Sequence, residues 1–366
     1  MATITEADSE KKDDVEENMK PDTFNAEPSW SFSFAVAIVQ ATLWWFRYVG
    51  LFFRRIVGPS RVSQAAKSSP KPRFWRVTGI ENGERLCALE WLQKASPGGH
   101  SLAEVSAQRL CATLTTFGKP KPALNGWSVE SAFLGITPLS SPADAAVDVV
   151  AITGLGGHAM GSFRSTDGSF LWLRDVLPKT LPKARILTYG YDTALLENES
   201  KESIRDLAKV FLDALAGFRY RTKTQRRPLC FIAHSLGGVV PKEALAIADL
   251  NQDTDSHEVV LSTYGLILLG VPNLGLRHPQ LMTMVEGNPN QQFVRDLVVD
   301  EDEAPSPYLN ELTGKFSPVC SRVTPPFHIV SYYETERSPT AKVIYTTFLS
   351  INTTDGSIKA TRRITI

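Results

Sequence analysis

The stretch Phe231-Ile-Ala-His-Ser-Leu-Gly-Gly238 decides how this chain is read. Leu229 to Ile232, around Cys230, is apolar and predicts a buried strand, while Val239 to Ala248 predicts a helix. Ser235 stands in the tight turn between them, the arrangement of a nucleophile elbow. Ala233 and Gly237 are small because a strained turn brings strand and helix backbones close together. A serine that merely caps the following helix is the simpler alternative. The apolar strand, the small flanks and Gly237-Gly238 together favour the elbow.

Outward from the elbow, apolar strands alternate with helical stretches from Val147 onward. This is the pattern of a mostly parallel α/β sheet with helices on both faces. Strands are predicted over Val147 to Thr153, Arg185 to Tyr189, Leu229 to Ala233, Tyr264 to Leu269 and Phe327 to Tyr332. Helices fit Leu171 to Leu177, Ser200 to Gly217, Gly238 to Asp249 and Asn290 to Val298.

Reactive groups in such sheets collect at the C-terminal strand ends. Gly154-Leu-Gly-Gly157 closes the first strand, and its glycines let backbone approach a substrate. The Leu155 and Leu236 N–H groups are the expected oxyanion donors, with Gly154, Gly156, Gly157, His234 and Asp192 as pocket residues. An ordinary glycine turn is the alternative for 154–157. No Lys-Ser/Thr follows the glycines, which disfavours a phosphate cradle. Asp192 lines the pocket or caps its loop. Glu334, just past the last strand, stands where a triad acid belongs, or is a surface acid near Arg337.

A serine nucleophile needs a base, and the six histidines are poorly placed for it. His328 opens its strand and His257 precedes one, which puts both at the wrong end of the sheet. His100 lies in an upstream module. His234 adjoins the nucleophile, but its side chain should leave the turn in another direction. His158 and His278 follow strand ends and are only weak substitutes. No histidine follows Glu334.

Upstream, residues 74–118 predict a small βαβ-like module, with strands Phe74 to Thr78 and Leu110 to Phe117 around a helix at Arg85 to Gln93. It lacks the aromatic signature strands of an RNA-recognition fold. Residues 119–146 are proline-rich and read as a connecting arm. Residues 147–343 form the expected hydrolase domain, and 344–366 a Thr-rich atypical tail.

Residues 1–29 are acidic and nearly devoid of apolar side chains, a disordered tail rather than a signal peptide. Trp30 to Phe53 follows, interrupted by Gln40 and Arg47, and a hydrophobic helix is expected over 30–56. It reaches the length of a membrane span only if Arg47 snorkels. A helix lying flat on a membrane, or packed on the catalytic domain, is the alternative. Basic residues after it, running into a linker at 57–73, place the catalytic domain in the cytosol.

Lys+Arg and Asp+Glu both number 39, which argues against a chain-wide nucleic-acid footprint. Cys87, Cys111, Cys230 and Cys320 show no C-x-x-C spacing, so a zinc site or disulfide framework is not expected. No metal or organic cofactor is implied.

Residues 133 to 341 resemble the fungal branch of serine esterases related to serine-active-site-containing protein 1, a lipase-like α/β-hydrolase family. The phrases that carry the resemblance are FLGIT, VDVVAITGLGGHAMGSF, WLRDVLP, ARILTYGYD, FIAHSLGG, GLILLGVPN and SYYETERSPTA. The resemblance implies Ser235 as nucleophile, Leu155 and Leu236 at the oxyanion hole, and Glu334 as acid. It implies a lipid-like ester as substrate and a link to the endoplasmic reticulum or mitochondrion. Thr153 stands where the wider lipase group begins its turn with histidine. Family members continue past SPTA into a further strand and a histidine-bearing segment. The divergence there implies a truncated or replaced C-terminus and weak or no turnover. The rival expectation is a non-catalytic hydrolase-fold module that binds lipid or a protein, or a membrane-tethered signalling domain.

Overall fold

A computed structural model describes residues 72–332, apart from breaks at 98, 166–167, 169, 193–201, 252–254, 300–303 and parts of 277–290. The acidic tail, the expected anchor at 30–53 and the 344–366 tail lie outside the described residues. Among those described, no helix is long and apolar enough to cross a membrane.

The upstream module begins with β1 (Arg73–Glu81), followed by α1 (Arg85–Ala95), β2 (His100–Ser106), β3 (Arg109–Thr116) and β4 (Ser128–Glu130). The sheet order is β2-β3-β1-β4, with each pairing antiparallel. The expected strand–helix–strand order is present, but the parallel βαβ connection is corrected. β2, absent from the expectation, folds back on β3 as a hairpin and supplies the antiparallel neighbour. Its HSLAEVS sequence lacks a long apolar run, and only Ala103 in it is buried. Trp75, Val77, Ala88, Leu92, Leu114 and Trp127 make a separate core beneath this sheet.

The larger sheet holds β5 (Gly135–Ser140), β6 (Val147–Ile152), β7 (Ala184–Gly190), β8 (Leu229–His234), β9 (Thr263–Leu269) and β10 (His328–Tyr332). Their order is β10-β9-β8-β6-β7-β5. Five strands run parallel, and β5 is antiparallel on β7. The 119–146 segment therefore contributes a strand to each sheet.

Alternation along the strands explains the continuous apolar runs. Val150, Ile152, Leu187, Phe231 and Leu266 face one layer; Val149, Ala151, Ile186, Ile232 and Ile267 face the other. Each face must be covered, so both sets are buried. The first layer holds α2 (Ile204–Arg221), α3 (Val239–Leu250), α4 (Asp255–Ser262) and α5 (Pro307–Arg322). The second is covered by short helical turns at Trp172–Asp175 and Leu177–Thr180.

α2 starts later than expected because Ser203 and Asp206 form a reciprocal capping box. α5 is not among the helices expected from sequence, and it carries prolines at 307 and 318. Pro307 occupies the first turn, where its missing N–H is harmless, and Ser306 caps the helix.

Chain order sets the site. From β6 the chain moves to β7 on one side, then crosses to β8 on the other. That reversal opens a crevice at the C-terminal ends of β6 and β8.

Candidate active site

Ser235 follows β8 with φ at 53°, a left-handed backbone that non-glycine residues rarely adopt. The conformation costs about 1–2 kcal/mol. It turns the strand sharply into the 3-10 segment Ser235–Gly238, which runs directly into α3. Leu236 lies in the first turn of this helical stretch, where backbone N–H groups lack intrahelical partners.

Three glycines permit the close approach. A Cβ on Gly154 would lie 2.7 Å from Ser235 Cβ and 3.3 Å from Ser235 Oγ. One on Gly237 would lie 2.3 Å from Thr153 O and 2.6 Å from Ile152 O. One on Gly238 would meet the Val271 side chain at 2.2 Å. The loop after β6 therefore touches the elbow, and the Leu155 peptide starts at that contact. Gly156 adopts φ 64°, and Gly157 folds back so that its N–H donates to Gly154 O at 3.1 Å.

Residues without a motif hold this loop. Thr153 Oγ1 and Ser162 Oγ are 2.5 Å apart, and the His158 N–H donates to the same Ser162 oxygen at 3.1 Å. Tyr191 O–H donates to Thr153 O at 2.8 Å; burial pushes the Tyr191 phenol far above its ordinary range. Tyr191 stacks on Tyr189, with ring centroids 5.8 Å apart. Ser162 and Tyr191 were not singled out from sequence, because lone hydroxyls at these spacings carry no periodic signal.

His158 is engaged elsewhere. Its Nδ1 accepts from the Met160 and Gly161 N–H groups, both at 3.1 Å. Two donors at Nδ1 place the proton on Nε2, which donates to Ser131 O at 2.8 Å. The imidazole is a staple for the 158–161 turn, packed edge-on against Phe133.

His234 is half-buried beside the nucleophile, and loss of water lowers its pKa. His257 lies on α4 with Nδ1 3.3 Å from Ala248 O. His328 opens β10 against Tyr264, and His100 Nδ1 meets Ser96 O at 2.6 Å in the upstream module. Among the described residues no hydrogen bond joins a histidine to Ser235. Asp192 is exposed just past β7. Glu334 and His278 lie outside the described residues. Among the described residues no group of three or more His, Cys, Asp or Glu could hold a metal.

A mostly parallel sheet with an antiparallel edge strand, a reversal at β6, and a strained serine after β8 define an α/β-hydrolase fold. No family model matches the chain. Over 206 residues, 51% of the chain, it is 26% identical to Protein SERAC1 of Danio rerio. Over 207 residues, 52% of the chain, it is 25% identical to Protein SERAC1 of Mus musculus. The matched region spans 30% of each relative's length. Among solved structures, the mature lipase BlEst2 of Bacillus licheniformis aligns with a TM-score of 0.37 at 13% identity, covering 58% of this chain and 76% of that one. Phospholipase PlaB of Legionella pneumophila gives 0.38 at 15% identity, covering 53% and 40%.

Proposed function

We propose that the chain is a serine-dependent ester hydrolase acting on a lipid ester at a membrane. The observation that carries this reading is Ser235, held at positive φ against Gly154. In the reaction, Ser235 Oγ attacks the ester carbonyl carbon and gives its proton to a base. The Leu155 and Leu236 N–H groups receive the developing oxyanion. The alkoxide leaving group takes the proton back, and water then releases the acyl group from the serine.

With His158 committed to its turn, His278 is left as a weak substitute for the late histidine base that the chain lacks, and Glu334 is the acid of this reading; both lie outside the described residues. Where the base is poorly placed, oxyanion stabilisation and binding alone retain about 10³–10⁴-fold over water. Trp30 to Phe53 supports membrane attachment, with basic residues after it favouring a cytosolic catalytic domain. Resemblance points to the endoplasmic reticulum or mitochondrion.

A second reading, a non-catalytic module that binds lipid or protein, is favoured by the lack of any histidine bonded to Ser235 among the described residues. A fluorophosphonate probe separates the two. Labelling lost in Ser235→Ala supports the hydrolase. Failure of the folded wild-type chain to label supports the binding module.

A further inference from the structure

A cavity lies where the two sheets meet, and none of its lining residues belongs to the candidate active site. It has a volume of about 480 Å³, within the range of small-molecule sites. One wall comes from β1, β2 and β3, and the other from β5 and α2. Val105, Leu110, Ile136 and Phe218 make it apolar, while three arginines and no carboxylate line it.

The three arginines differ in what they already hold. Arg76 is satisfied by Glu130, with further bonds to Leu134 O at 2.8 Å and Thr137 Oγ1 at 2.9 Å. Arg109 makes only long contacts, 3.3 Å to Gly79 O and 3.5 Å to an exposed Glu81 carboxylate. The Arg221 guanidinium has no hydrogen bond or ion pair among the described residues. Arg109 stands on β3 and Arg221 on α2, so the two lightly held cations come from opposite walls.

We propose that this cleft binds an anionic amphiphile, with its carboxylate or phosphate head between Arg109 and Arg221 and its apolar body against Ile136 and Phe218. Guanidinium groups bind planar or tetrahedral oxyanions through paired N–H donors. The apolar lining beside them suits the hydrocarbon body of such a ligand. Both arginines are exposed, Arg109 has an ion pair to Glu81 at 3.5 Å, and no carboxylate lines the cleft to answer Arg221.

Calorimetric titration of the full chain with decyl phosphate and with decanoate, both below micelle formation, tests the proposal. One amphiphile should bind per chain, and decanol and inorganic phosphate should each bind at least about tenfold more weakly. The Arg109→Ala/Arg221→Ala pair should weaken binding by at least about tenfold. Ala214→Phe, on a half-buried lining position of α2, should block the cleft without touching either arginine. Tighter decyl phosphate marks a phosphoryl headgroup as the natural anion; tighter decanoate marks a free fatty carboxylate. Absence of binding overturns the proposal. So does equal binding of decanol or inorganic phosphate, or binding unchanged in both variants.

Discussion

Gly154 and Ser235 touch so closely that a Cβ on the glycine would stand 2.7 Å from the serine Cβ. The same Cβ would meet His234 O at 2.9 Å, so neither neighbour can yield without moving the turn. Gly154→Ala should therefore push the oxyanion loop off the nucleophile. We expect fluorophosphonate labelling at least about tenfold slower, with stability down by about 1–3 kcal/mol, the usual cost of overpacking. Unchanged labelling in a stable variant would show that the loop does not serve the serine.

The backbone strain at Ser235 predicts an unusual order of stability. Ser235→Gly relieves the positive φ, whereas Ser235→Ala keeps it. Glycine should be the more stable of the two by about 1 kcal/mol, despite its larger unfolded entropy. Urea denaturation of both variants measures the difference. An alanine variant more stable than the glycine one contradicts a strained elbow.

His158 is expected to act as a loop staple. Its ring joins three backbone groups, so His158→Ala should cost about 2–3 kcal/mol. Labelling of Ser235 should slow through loop loosening while its pH dependence keeps its shape. A base would behave differently, and complete loss of labelling with stability intact would assign that role to His158.

At the opposite end of the sheet, Asp148 is fully buried and answers three arginines. Arg185 Nη2 donates at 2.6 Å, Arg219 Nη1 at 2.8 Å and Arg227 Nη1 at 3.2 Å. Burial pushes the Arg219 guanidinium down to about 10, and its Nε has no partner. Asp148→Asn takes away the carboxylate that these three arginines share. Stability should fall by about 3–5 kcal/mol. A loss below 1 kcal/mol in chemical denaturation would mean the cluster is hydrated.

His234 predicts a pH response. Burial lowers its pKa in the folded state, so the unfolded chain takes up the proton first. Its contribution is fully present above about pH 6.5 and is lost as pH falls below that value. His234→Asn should flatten the decline of melting temperature between about pH 6.5 and 5. An equally steep decline in the variant would place the acid sensitivity elsewhere.

Much of the larger sheet was legible because a strand buried on both faces must be apolar at successive positions, as VDVVAI and GLILL are. The hairpin of β2 on β3 was hidden, since HSLAEVS buries one residue and resembles a polar loop. α5 was not expected, although both the Ser306 cap and the first-turn proline agree with helix rules. Histidine position along the chain showed that His158 follows a strand. Only the folded turn shows both ring nitrogens already taken.

The sequence by itself determined the elements whose signal is local: apolar strands, a serine between strand and helix, and small residues where backbones must approach. Tertiary structure alone decided which glycine meets Ser235, which histidine is committed, and that Arg109 and Arg221 line one cleft. The physical reason is separation along the chain. Periodicity and turn chemistry act over a few residues, whereas these contacts join segments that meet only after the sheets have formed.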